Sequence, residues 1–189
     1  MDSYHIALFV HLLTLVVAAG TTAVTKLAAA RGKRARTVGE LQEWHGVLMS
    51  AARLFPICLA FFTASGAYML GVTHAAVWST PYVVAGLTGV VLLLASGAFL
   101  GAKARTLRDV LAEMAGHGAD RPAPKLVPPR LVVALPAVNT GIALAVVFDM
   151  VTKPTSVTAA LAILVAGIAL GGASALRKPA PQMERAQAA

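Results

Sequence analysis

Apolar residues gather into five runs, at residues 4–27, 47–72, 82–102, 131–151 and 157–176, and the charged residues fall between them. Each run is close to the roughly 20 residues that a helix needs to cross bilayer hydrocarbon. Hydrocarbon offers no water to a backbone N–H or C=O, so a spanning run must close its hydrogen bonds within itself, as a helix. The pattern predicts an all-α fold: a polytopic membrane helix bundle of five transmembrane helices in a single domain over residues 1–176. Residues 177–189 are polar and read as a loose tail.

Charge sets the threading. Lys26, Arg31, Lys33, Arg34 and Arg36 follow the first run, and Lys103, Arg105, Arg108, Arg121, Lys125 and Arg130 follow the third. Arg177, Lys178 and Arg185 follow the fifth, whereas the remaining connections hold only Lys153. Basic connections stay in the cytoplasm, so the N-terminus is expected outside and the C-terminus inside. Asp2 precedes the first run and no basic residue does, so that run reads as a retained helix rather than a cleaved signal peptide.

Between the third and fourth runs the apolar period changes character. Leu107, Val110, Leu111 and Met114 recur at helical spacing. The third helix is therefore expected to run on into the cytoplasm over residues 103–116 and to stop near Gly116, His117 and Gly118. Pro122, Pro124, Pro128 and Pro129 then demand a non-helical return. Inside the second run, Pro56 removes a helical hydrogen bond and predicts a kink near Ala52; Pro136 is placed to act similarly in the fourth.

Small residues mark close helix approach in a membrane. Ala7, His11, Thr14, Ala18, Thr21 and Thr25 form a small, polar stripe on the first run that is expected to face the bundle. Gly86, Gly89, Gly97 and Gly101 lie in the third run, and Gly167 and Gly171 in the fifth. They serve packing within the bundle or a contact with another copy or subunit.

Composition narrows the class further. Charged residues make up 13% of the 189, about half the share of a soluble domain, which excludes a soluble enzyme. The formal net charge is +8, but no aromatic residues interleave the basic loops to stack bases. The expected partners are the lipid bilayer and its anionic headgroups, with other membrane subunits or a homo-oligomer beside them, and not nucleic acid. Cys58 is the one cysteine, so no internal disulfide forms, and it reads as a small core residue.

Polar groups within spans are costly and are the candidates for chemistry. Arg53 lies within the second run toward its cytoplasmic end, and Asn139, toward the same end of the fourth, is read as the polar side chain at its depth. It reads either as an anchor for an anionic group, such as a haem propionate, quinone oxygen or lipid phosphate, or as a side chain snorkelling to the headgroups. His11 lies about 10 Å into the first run, as a ligand for haem iron or a metal, or as a packing hydrogen-bonder. His5, His74 and Asp149 map to the outer rim, with Met69 about one turn below His74. Met and His suit copper and paired His suits b-type haem, so His5, His11, Met69 and His74 form the candidate metal set. His45 and Trp44 read as an inner interface anchor, and Lys153 as the partner of Asp149. No phosphate-binding glycine loop, HExxH or Ser-His-Asp grouping is present, and no catalytic residue is assigned.

The segment LFVHLLTLVVAAGTT, with His11 followed by Ala18, Ala19 and Gly20, resembles the opening helix of small bacterial membrane proteins of the copper-resistance CopD-like superfamily. The later FDMVTKPTSVTAAL, with Met150, Lys153 and Pro154, is similar to the turn between the last two helices of a related family of predicted integral membrane proteins. The resemblance implies a bundle of the bacterial inner membrane tied to metal or haem biology. Two functions are therefore expected: binding of haem b or copper near the outer face for electron transfer or metal handling, or a cofactor-free, non-catalytic subunit of a respiratory or photosynthetic complex.

Overall fold

The computed structural model describes residues 2–73, 79–124 and 128–176. The candidate ligand His74 and the tail from residue 177 lie outside these residues. Among the described residues six helices follow one another: α1 (Ser3–Gly32), α2 (Val38–Ala52), α3 (Leu54–Thr73), α4 (Pro81–Gly116), α5 (Arg130–Thr152) and α6 (Val157–Leu176). Together α2 and α3 make one span, so among the described residues five segments are long and apolar enough to cross a membrane. The chain is an all-helical, multi-pass membrane protein.

The break between α2 and α3 falls at Arg53, three residues before Pro56, where the missing proline N–H predicts it. At Pro136 there is no break, and α5 continues through it as one helix. As expected, the third span and its amphipathic extension form one helix, α4, which ends at Gly116 with His117 as its C-cap. Gly118 follows with φ 131°, a backbone conformation that a residue with a Cβ rarely adopts.

The chain divides into two compact units, Met1–Thr80 with Val90–Val127, and Pro81–Gly89 with Pro128–Ala189. In the first, α1 packs on α2 and α3. Its small polar stripe faces inward: Thr14 and Thr21 are buried, with Ala28 two turns beyond Thr21 also buried, whereas Phe9, Val16 and Val24 are exposed and form a lipid-fitted face. Thr14 and Thr21 return their hydroxyl protons to the Val10 and Val17 carbonyls, at 2.7 and 2.8 Å, so the stripe packs without an unsatisfied donor.

At one end of this unit, α2 starts at Val38, well before the apolar run at 47. Thr37 caps it, accepting from the Glu40 N–H, while the Glu40 carboxylate accepts the Arg36 N–H at 2.9 Å. Two more N–H groups of that first turn find carbonyls on the return segment. Val38 N–H donates to Arg121 O and Gly39 N–H to Ala119 O, each at 2.9 Å, and Ala123 N–H donates back to Arg36 O at 2.8 Å. A stretch that reads as a stiff return thus straps the N-terminus of α2. Val38 and Leu111, both 0% exposed, fill the core of this end.

The second unit is built on the α5–α6 hairpin. A Cβ at Gly171 would stand 2.5 Å from Ala137 O, and one at Gly167 would stand 2.5 Å from Gly141 O. The two backbones touch, and only glycine permits this crossing. The first nine residues of α4 pack here too, with Gly89 against Val146 and Gly86 against the Met150 methyl. Lys153 ends α5 in the left-handed region, φ 47°, and turns the chain into α6.

Candidate functional site

His11 is the best-defined polar group within a span. It is half-buried on α1 and faces α3, where its ring stacks on Phe62 with centroids 3.9 Å apart. Its Nδ1 lies 3.1 Å from the Phe62 carbonyl oxygen and 3.1 Å from Ser65 Oγ. A carbonyl only accepts, so Nδ1 carries the proton. Ser65 Oγ is consistent with this, because it spends its own proton on the Phe61 and Phe62 carbonyls, at 2.6 and 3.1 Å. The contacts with the Phe62 carbonyl and the Ser65 hydroxyl fix the ring by one nitrogen and leave the lone pair on Nε2, which makes no hydrogen bond to the described residues. Gly66 gives the ring room, since a Cβ there would meet His11 Cε1 at an ordinary 3.5 Å.

Met69 lies half-buried on α3, one turn beyond Ser65. By helical spacing it shares the face that meets α1. His5 does not join His11: it is exposed and sits 3.8 Å from Asp2. Six residues of helix separate the two histidines, about 9 Å of rise. Among the described residues, no three of His, Cys, Asp and Glu come together as a metal site. His11 thus offers one ligand nitrogen, and its pairing with His74 falls outside the described residues.

Arg53 stands at the α2–α3 break as the C-cap of α2, in the first unit, and is exposed. It forms no ion pair among the described residues. Asn139 is half-buried on α5, in the second unit. His45 is a helix tie rather than a rim anchor. It is buried, and its Nε2 donates to the Ala104 carbonyl of α4 at 2.9 Å. Cys58 is buried, as its core reading requires.

Asp149 departs furthest from expectation. Its rim position predicts a carboxylate paired with Lys153, yet it is 0% exposed and neither oxygen has a hydrogen-bond partner among the described residues. The contact with Lys153 is through the backbone, Lys153 N–H to Asp149 O at 2.9 Å, and the lysine is exposed. Helical phase explains the difference. Ile142, Ala145, Val146 and Asp149 share one buried face of α5, so the carboxylate points into the hairpin.

Scans against protein-family models, curated proteins and solved structures give no match to this chain.

Proposed function

We propose that this protein is a small bacterial inner-membrane helix bundle that binds haem b or a metal ion such as copper through His11. It would serve electron transfer or metal handling. The observation that carries this reading is the contact of His11 Nδ1 with the Phe62 carbonyl. Metal-ligating histidines typically have their second nitrogen held this way, which fixes the tautomer and orients the ring. The likeness of the first helix to CopD-like proteins supports the same reading. Bound haem or copper would supply one-electron chemistry, while the α1–α3 pair fixes the imidazole. Arg53 takes the role of anchor for an anionic group. The charge asymmetry of the connections supports an external N-terminus and a cytoplasmic C-terminus.

The test is an absorption spectrum of the detergent-purified protein, oxidised and then reduced, with metal analysis on the same sample. A Soret band with sharp reduced α and β bands, lost in His11→Ala, is the expected result for haem; near-stoichiometric copper lost in the same variant is expected for a metal site. A colourless, metal-free protein from cells supplied with both would sink the reading.

A second reading, a non-catalytic subunit of a larger membrane complex, draws on a different observation. Cβ atoms built at Gly97 and Gly101 would meet nothing within 4 Å. A glycine pair four residues apart with open space in front of it suits a partner helix. Under this reading Gly97→Leu abolishes a larger assembly in native-gel analysis of membranes; an unchanged assembly counts against it.

A further inference from the structure

Asp149 carries a second site. The close contacts of α5 with α6 set a register, Ala137 against Gly171 and Gly141 and Ala145 against Gly167. Two turns from the Gly141–Gly167 contact toward the connection, that register brings Asp149 level with Ala160, which is itself 0% exposed. On the α4 side, Gly89 receives Val146 and Gly86 receives Met150, the residues flanking the Asp149 turn. Val83 and Ala85 of α4 are also buried. Small and apolar residues therefore wall in a carboxylate with no water contact.

The elements packed around it hold little charge. The described residues of α6 carry no titratable side chain, and the stretch Pro81–Gly89 carries only Tyr82. Lys153 is exposed. A bare carboxylate taken out of water without a countercharge costs several kcal/mol. Its charge is removed by a compact cation. An alkali or alkaline-earth ion asks for several oxygen ligands. Among the described residues no group of three His, Cys, Asp or Glu side chains gathers there to hold such an ion. A proton asks for one oxygen and no added room.

We propose that Asp149 is a proton-binding site within the α4–α5–α6 unit: the carboxylate takes up one proton and stands there as a neutral carboxylic acid. The exposed turn at Lys153 lies four residues on, about 6 Å along the helix, and is the nearest point from which water delivers or removes that proton. The site is independent of His11 and stands whether or not haem or metal binds there.

The experiment is infrared spectroscopy of the full chain in detergent at neutral pH, made with carboxyl-13C aspartate. Asp2, Asp109 and Asp120 are exposed, so a protonated aspartate signal under these conditions reports Asp149. The expected result is one isotope-shifted C=O band of a carboxylic acid, shifted again in deuterium oxide, lost in Asp149→Asn and unmoved by sodium chloride. A spectrum with only ionised aspartate overturns the proposal. So does a band that gives way to carboxylate when sodium replaces potassium, which would make the occupant a metal ion. The labelled wild-type chain decides the matter even if the Asn variant fails to fold.

Discussion

Gly167 of α6 faces Gly141 of α5 so closely that a Cβ on Gly167 would stand 2.5 Å from the Gly141 carbonyl oxygen and 2.7 Å from the Ala145 Cβ. A carbonyl within a helix cannot step aside as a side-chain tip can. Gly167→Ala is therefore expected to destabilise the hairpin by about 1–3 kcal/mol, the usual cost of forcing atoms into a packed interface. Gly97→Ala should do the opposite. A Cβ there meets nothing within 4 Å, and alanine is favoured over glycine in a helix by about 0.8–1 kcal/mol. Denaturation of both variants in mixed detergent micelles compares them directly, and equal stability of the two would contradict the close crossing.

The spans were legible because hydrocarbon allows one backbone solution, so length and polarity alone locate them. The Arg53 break was legible for a similar reason, since proline's missing donor acts within four residues. The strap at Val38 and Gly39 was not. The Thr37–Glu40 spacing is a capping signal that marks the true start of α2, but a count of apolar residues passes over it. The carbonyls of Ala119 and Arg121 that complete the cap come from some eighty residues away, and no local pattern announces them. His11 could be picked out as a polar residue in an apolar run, but its Phe62 and Ser65 partners sit on another helix. Asp149 misled for a geometric reason. Distance from the end of the run suggested a wet rim, whereas its phase on α5 put it on the buried face.

The His11 arrangement separates two effects of mutation. Ser65→Ala removes one acceptor and leaves the Nδ1–H bond to the Phe62 carbonyl in place. It should keep the cofactor, with stability lowered by about 0.6 kcal/mol, the average for a side-chain hydrogen bond between membrane helices. His11→Ala should lose the cofactor altogether. Titrating the apoprotein of each variant with hemin or copper reads the difference, and equal affinity in both would remove His11 from the ligand set.

Leu111 makes the strap testable. It is 0% exposed on the extension of α4, beyond the apolar run at 82–102. Leu111→Ala should cost about 2–5 kcal/mol, the range for a buried leucine that leaves a cavity. The loss should be local. Amide hydrogen exchange of Val38, Gly39 and Ala123, whose N–H groups bridge the strap, should accelerate strongly, while Thr14 and Thr21 on α1 stay protected. Uniform acceleration across both groups would show that this end does not open by itself.

Threading can be checked without purifying the protein. Gly118 lies in the basic connection after α4, and Thr155 in the short turn after Lys153. The excess of Lys and Arg around residues 103–130 predicts that a reporter fused after Gly118 reads cytoplasmic, and one fused after Thr155 reads external. The opposite pair of signals would invert the bundle. The strap and Leu111 would then face the exterior, and His11 would lie nearer the cytoplasmic leaflet. Threading therefore decides from which side a redox partner or metal donor reaches His11.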